Sequence, residues 1–182
     1  MGASESRATA EPQGCAVRTV THGQEVIDNV PYLLLIVLGA AVVSCGPADG
    51  PWRWLAAGLY ATYGVAGAIW IICFVCPHCG FYDTRLCPCG YGQVAPWFRK
   101  RAANSDFARQ FRKHIPVIVP LWFIPLIAGG ISLVRDFSWG VLVMLFAFAL
   151  NSFVVLPLVS RKYGCSACPQ KGTCPWMGNC KA

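Results

Sequence analysis

Four long runs of apolar residues constrain this chain more than any other feature. None contains an Asp, Glu, Lys, Arg or His, and they cover residues 30–46, 54–75, 115–134 and 137–159. A helix needs about 20 largely apolar residues to cross the hydrocarbon layer of a bilayer. The helices of a soluble bundle usually carry a polar stripe along one face, and these runs carry none. The sequence therefore predicts an all-α integral membrane protein with four transmembrane helices.

The composition agrees with this prediction. The chain is 55% hydrophobic and 13% charged, whereas a soluble domain is usually about a quarter charged. Its net charge of +7 could indicate nucleic-acid binding. However, the basic residues lie between the apolar runs and form no nucleic-acid-binding module, so we expect no nucleic-acid partner. The first 29 residues lack the pattern of a secretory signal.

The lengths of the connections predict the topology. Runs one and two are joined by a short turn, and so are runs three and four, which makes two hairpins. Of the 15 Lys and Arg residues, all but Arg53 and Arg135 lie on the side opposite these turns. This bias predicts a multi-pass protein of the cell membrane with both termini in the cytoplasm. The expected segments are an N-terminal tail (1–29), a first hairpin (30–76), a Cys-rich and basic loop (77–114), a second hairpin (115–159) and a Cys-rich tail (160–182).

A run of cysteines follows each hairpin. Each run begins with C-x2-C and continues with a Cys-Pro pair and further cysteine. The similarity suggests a tandem repeat, although any two helical hairpins resemble each other, so coincidence is the alternative. The predicted metal ligands are Cys76, Cys79, Cys87 and Cys89 in the loop and Cys165, Cys168, Cys174 and Cys180 in the tail.

Clustered cysteines in a reducing compartment usually bind metal or perform redox chemistry. The segment Cys-Pro-His-Cys-Gly at 76–80 has the form of a zinc knuckle. With Cys73, it also forms a C-x2-C-x2-C array that approaches the spacing of bacterial ferredoxins, although the gap to Cys87 is longer. An iron–sulfur cluster is the favoured cofactor and zinc the alternative, with redox-active thiols third. The grouping of the ligands, sites shared between loop and tail, and the participation of Cys73 and His78 stay open.

The apolar runs contain few polar side chains. Tyr60, Tyr63 and Asn151 are the notable ones, and we expect Asn151 to bridge two helices. The alternative is that these three side chains lie beside a quinone. Small residues such as Gly64, Gly129 and Gly130 predict close helix contacts. Three prolines in 115–134 should loosen the start of that helix.

Residues 97–114 combine aromatic and basic side chains. A helix there would place Phe107 and Phe111 on one side and would allow the arginines to reach anionic head groups. We therefore expect this segment to lie on the anionic inner leaflet of the bilayer. The alternative is a binding site for a partner protein.

These features lead to three hypotheses of function. The first is an iron–sulfur electron-transfer subunit of a membrane redox complex, working with a partner membrane subunit or soluble redox subunit. The second is a non-enzymatic assembly or scaffolding protein stabilised by zinc. The third is a protein that handles metal or thiols through transient ligands. The runs supply no nucleophile, base or phosphate-binding loop, so we expect no catalysis by this chain alone.

Overall fold

The computed structural model describes residues 20–103 and 106–165, apart from the side chain of Cys165. This part of the chain is helical and contains no strand. Four of its helical stretches are long and apolar enough to cross a membrane: His22–Ser44, Trp52–His78, Phe107–Arg135 and Trp139–Gly164. The predicted all-α fold with four spanning helices is confirmed, and the chain has the build of a multi-pass membrane protein.

Individual elements divide these stretches further. The α-helices are α1 (His22–Ser44), α2 (Trp52–Phe74), α3 (Tyr91–Phe98), α4 (Phe107–His114), α5 (Pro120–Arg135), α6 (Trp139–Leu150) and α7 (Leu156–Val159). Short 3-10 helices cover Cys76–His78 and Ile115–Val117. Two π-helical segments, Asn151–Val155 and Ser160–Cys165, flank α7. We call the end of the bundle with the two short connections the turn end, and the opposite end the loop end.

Helix α1 begins earlier than the apolar run predicts. Thr21 is its N-cap, and its backbone N–H donates a hydrogen bond of 3.3 Å to Gln24 Oε1, as in a capping box. Glu25 lies in the first turn, where the helix dipole favours an acidic side chain. Pro31, the second residue of the apolar run 30–46, therefore lies inside the helix. The polar residues 22–29 extend α1 beyond its apolar run.

Helix α1 packs against α2, α5 and α6 and so forms the centre of the bundle. The fully buried side chains Leu35, Val42, Leu121 and Phe148 make up the core between these helices. Many aliphatic and aromatic side chains instead point outward, among them Leu33, Leu59, Ile127 and Phe146. An apolar outer surface of this kind is what lipid-facing helices present.

Glycines allow the helices to approach one another. A Cβ on Gly64 would lie 2.7 Å from the Ile36 side chain, and one on Gly129 would lie 2.9 Å from Val42. Gly39 faces the phenol ring of Tyr60 even more closely. These contacts confirm the predicted role of small residues at Gly64 and Gly129. Gly130, by contrast, faces open space, because it lies on the outward side of α5.

Prolines leave backbone carbonyls without helical donors, and aromatic side chains bind these carbonyls. Pro125 cannot donate to the Leu121 carbonyl, which accepts a hydrogen bond from Tyr60 Oη at 2.9 Å. The Val117 carbonyl, three residues before Pro120, accepts one from Tyr63 Oη. Both phenols therefore replace missing helical hydrogen bonds between α2 and the start of α5.

In the second hairpin, too, a side chain donates to a carbonyl that a proline leaves without a helical donor. The segment Asn151–Val155 is a π-helix, in which hydrogen bonds span five residues, and the Leu156 N–H accordingly donates to the Asn151 carbonyl. Pro157 has no N–H for the Ser152 carbonyl, which accepts from Trp122 Nε1 at 3.2 Å. Asn151 Nδ2 donates to the Pro31 carbonyl at 2.9 Å. This bond confirms the expected bridging role of Asn151.

The basic segment folds back onto the bundle. Phe107 of α4 is buried against Val75, and its ring lies 5.7 Å from that of Phe111. These two rings share one side of α4, as predicted. Both rings pack against protein side chains. At the end of α4, Trp70 Nε1 donates to His114 Nδ1 at 3.2 Å and so holds α4 against α2.

Candidate metal centre

Two tight turns, each starting with Cys-Pro, lie at the loop end of the bundle. In the first, Pro77 occupies the first turn of a 3-10 helix, and the Cys79 N–H donates to the Cys76 carbonyl at 3.0 Å. This turn has the compact form expected of a Cys-Pro-x-Cys-Gly knuckle. In the second, the Gly90 N–H donates to the Cys87 carbonyl at 3.1 Å.

Glycines permit the second turn. Gly90 has a φ of 75°, a left-handed conformation that strains residues with a side chain. A Cβ on Gly92 would lie 2.9 Å from the Cβ of Cys87 and closer still to the Phe81 carbonyl. The Gly92 carbonyl also accepts a hydrogen bond of 2.9 Å from the Asp83 N–H. The chain between the two turns therefore folds against the start of α3.

Hydrogen bonds to the rest of the protein hold both turns. Asn29 Nδ2 donates to the Cys89 carbonyl at 3.0 Å and to the Glu25 carbonyl at 2.8 Å, which joins the second turn to α1. The Ala102 N–H donates to the Pro77 carbonyl at 2.9 Å. Both turns are thus fixed by partners far away in sequence.

The loop thiols lie near one another. The Cys76 thiol interacts electrostatically with those of Cys79, Cys87 and Cys73. Cys87 is buried, and Cys73, Cys76, Cys79 and Cys89 are half-buried. The structure therefore brings the four predicted loop ligands to one region, together with Cys73 at the end of α2.

Cys87 and Cys89 form a hydrogen-bonded pair. This bond from Cys89, together with backbone N–H groups of Gly92, Cys89 and Gly90, lowers the pKa of Cys87 to about 6 against the opposing effect of burial. The same bond raises the pKa of Cys89, and burial and the neighbouring charges of Cys87 and Asp28 raise it further. At neutral pH this arrangement favours a thiolate at Cys87 and a proton on Cys89.

The tail meets the loop beside Asp28. Both carboxylate oxygens of Asp28 are buried and have no hydrogen-bond partner among the described residues. This carboxylate acts electrostatically on Cys89. A Cβ on Gly164 would lie 3.5 Å from Asp28 Oδ2. Because Cys165 follows Gly164, the tail run of cysteines begins next to the second loop turn.

The structure describes the predicted loop ligands but not those of the tail. Cys168, Cys174, Cys180 and the side chain of Cys165 lie outside the described residues. Within residues 20–103 and 106–165, no group of three or more His, Cys, Asp or Glu side chains is arranged to hold a metal ion. The assignment of metal ligands therefore stays a prediction.

Asp28 and Asn29 also belong to this region, which their positions in the sequence did not predict. Both were assigned to the polar N-terminal tail, whereas they lie in the second turn of α1. The spacing of Thr21 and Gln24, which is that of a capping box, is the signal that could have extended the helix to include them.

Comparisons with known proteins add no assignment: the chain matches no family model, no curated protein and no solved structure.

Proposed function

We propose that this chain is a membrane protein that binds a metal centre through the cysteines at its loop end. The observation that carries the proposal is the gathering of thiols around Cys76, which interacts with Cys79, Cys87 and Cys73. Two Cys-Pro turns from different parts of the loop supply the thiols of Cys76, Cys79 and Cys87, and the end of α2 supplies that of Cys73. Thiolates in such turns are the usual ligands of zinc and iron–sulfur centres.

The favoured centre is an iron–sulfur cluster, which would make the chain an electron-transfer subunit working with a partner redox subunit. Support comes from Cys73, because its interaction with Cys76 adds the first cysteine of a C-x2-C-x2-C array to the region. Such arrays hold iron–sulfur clusters in ferredoxins. The surrounding backbone N–H groups at Cys87 would also stabilise a cluster thiolate.

Zinc is the second candidate, favoured by the first turn. In this turn the Cys79 N–H donates to the Cys76 carbonyl, which gives the compact form of a zinc knuckle. Such turns hold structural zinc ions. In this case the metal would brace the loop, and the protein would act in assembly or as a scaffold. The hydrogen-bonded pair Cys87–Cys89 is the feature that favours the third function, transient handling of metal or thiols.

Ligands from the tail fit this proposal. Gly164 lies against Asp28, which interacts with Cys89, so that Cys165 starts close to the loop cysteines. We include Cys165, Cys168, Cys174 and Cys180 as ligands of the same centre or of a second one beside it. The loop end would face the cytoplasm, because the turn end carries only Arg53 and Arg135.

Metal analysis of the anaerobically purified full chain tests the proposal. Iron and acid-labile sulfide with broad visible absorption support the iron–sulfur assignment, and zinc without colour supports the scaffold. A protein free of iron and zinc after anaerobic purification contradicts metal binding. Cys79→Ser and Cys87→Ser should each lower the bound metal by at least half. Cys45→Ser at the turn end is the matched control and should leave it unchanged, since Cys45 lies far from both turns along the bundle.

A further inference from the structure

A groove runs along the outer surface between the third and fourth long helical stretches. Its volume is about 450 Å³, and its walls are almost entirely apolar. Phe111, Ile118 and Trp122 line one side, and Phe153, Leu156 and Ser160 line the other. This volume lies within the range of roughly 300–1,000 Å³ that small-molecule sites occupy. The groove extends towards the loop end, where Phe111 and Ser160 lie.

An irregular backbone forms one wall. The π-helix Asn151–Val155 and Pro157 interrupt the regular helix on this side. Pi-helical turns inside α-helices occur frequently at functional sites. Because Trp122 Nε1 donates to the Ser152 carbonyl, the carbonyl that Pro157 leaves without a helical donor is satisfied without a ligand. The groove is thus a stable feature of the fold.

Two polar side chains in the wall, Ser152 and Trp122, already have hydrogen-bond partners. Ser152 Oγ donates to the Phe148 carbonyl at 2.6 Å, and the indole N–H of Trp122 donates to the Ser152 carbonyl. A quinone head group needs hydrogen-bond donors, and these two are engaged. Tyr60, Tyr63 and Asn151 likewise donate to backbone carbonyls. An apolar ligand that requires no hydrogen-bond donor suits the groove better.

Positive charge flanks the groove at the loop end. Arg112 and Arg161 do not line the groove, but each is the next residue in sequence after one that does, Phe111 and Ser160 respectively. Both arginines are exposed, and neither has an ion-pair partner in the part of the chain that the structure describes. Lys113 adds a third exposed charge next to Arg112. Basic residues near a membrane surface attract anionic head groups.

We propose that the groove binds one acyl chain of an anionic glycerophospholipid whose phosphate is held by Arg112 and Arg161. The apolar walls bury the chain, and the two guanidinium groups neutralise the phosphate. Bidentate recognition of phosphate explains why arginines suit these two positions. None of the side chains that line the groove is a cysteine, so the site does not depend on the metal proposal.

Native mass spectrometry of the full chain in detergent tests the proposal with dioleoyl phosphatidylglycerol and dioleoyl phosphatidylcholine. We expect the first lipid to bind at least tenfold more tightly to the wild type. Replacing both arginines (Arg112→Gln with Arg161→Gln) should weaken its binding by about fivefold for each arginine and leave phosphatidylcholine unaffected. Arg53→Gln with Arg135→Gln removes the same charge at the turn end and should change neither lipid.

Filling the groove gives the complementary variant. Leu156→Trp should displace phosphatidylglycerol, whereas Val143→Trp on the exposed outer face of α6 should not. Lysophosphatidylglycerol, with one acyl chain, should bind to the wild type and glycerol phosphate should not. This comparison needs no variant and so stays informative if Leu156→Trp fails to fold. Equal binding of the two phospholipids overturns the proposal, as does a groove that retains a quinone or seats a second copy of the chain.

Discussion

Tyr60 on α2 donates a hydrogen bond of 2.9 Å to the carbonyl of Leu121 on α5, the carbonyl that Pro125 leaves without its helical donor. This bond satisfies a carbonyl that lipid could not satisfy, because hydrocarbon offers no hydrogen-bond partner. Side-chain bonds between membrane helices contribute about 0.6 kcal/mol on average and up to about 1.7 kcal/mol.

Tyr60→Phe should therefore lower the free energy of unfolding by about 1–2 kcal/mol, because it leaves a buried carbonyl unsatisfied. Unfolding in mixed detergent and sodium dodecyl sulfate, followed by circular dichroism, measures the change. The double variant with Pro125→Ala restores the N–H that Leu121 lacks, so the cost of Tyr60→Phe should shrink in that background. An equal cost in both backgrounds would contradict the compensation.

Gly39→Ala should destabilise the same contact through steric overlap. The added methyl group would collide with the phenol of Tyr60, which cannot move without losing its bond to Leu121. We expect a loss of about 1–3 kcal/mol, as for other overpacked cores. Gly58→Ala on the exposed side of α2 meets nothing within 4 Å and serves as the control. The same unfolding assay compares the two, and similar stability of both variants would be evidence against this packing.

The chemistry of Cys87 should depend on pH in a defined direction. Its pKa of about 6 lies below the ordinary thiol value of about 8.5, so the metal-free protein should alkylate at Cys87 with a midpoint near pH 6. Cys89→Ala removes the largest cause of the lowered pKa and should shift the midpoint upward. Iodoacetamide pulses across pH 5–9, read by peptide mass spectrometry, measure both. An unchanged midpoint in the variant would contradict the role of Cys89.

The same lowered pKa has a consequence for stability. A group whose pKa is lower in the folded state contributes stability that is fully present above its unfolded pKa and is lost as the pH falls through its folded pKa. For Cys87 the contribution is therefore complete above about pH 8.5 and declines towards pH 6. The metal-free protein should lose less stability over this range when Cys87 is replaced by Ser.

The long helices could be predicted from the sequence because each depends on a local property, the apolar character of about 20 successive residues. The early start of α1 was missed because Asp28 and Asn29 are polar, although the capping-box spacing of Thr21 and Gln24 is a local signal. Their contacts with Gly164 and Cys89 join residues far apart in the chain. Pairings such as Tyr60 with Leu121 join residues far apart in the chain. No periodicity in a single sequence shows which carbonyl a tyrosine will reach.

The candidate site was predictable in part for the same reason. The spacing of Cys76 and Cys79 predicts a tight turn, and the structure contains one. The meeting of that turn with the Cys87 turn and with the start of the tail depends on how α1, α2 and the last π-helical segment pack. Which thiols share a metal is therefore a property of tertiary structure.

Asn29→Ala should loosen the second turn without disturbing the bundle. It removes the hydrogen bond to the Cys89 carbonyl, worth about 1 kcal/mol. We expect faster hydrogen exchange at the amides of Gly90 and Gly92, and unchanged exchange in the middle of α1. Gln93→Ala, which loses only an exposed contact of 3.3 Å to Glu25, is the control. Exchange of the turn at the wild-type rate would show that other contacts suffice to hold it.

The distribution of basic residues predicts which compartment the loop end faces, and thiol labelling tests it. Asp49→Cys places a thiol at the exposed turn end, and Ser138→Cys does the same in the second hairpin. A membrane-impermeant maleimide added outside intact cells should label both new thiols and leave Cys79 unlabelled until the membrane is opened. Removing Arg53 and Arg135 should not alter this pattern, because the loop end would keep the larger positive charge. Labelling of Cys79 in intact cells would place the cysteines outside the reducing cytoplasm and favour disulfides over a metal centre.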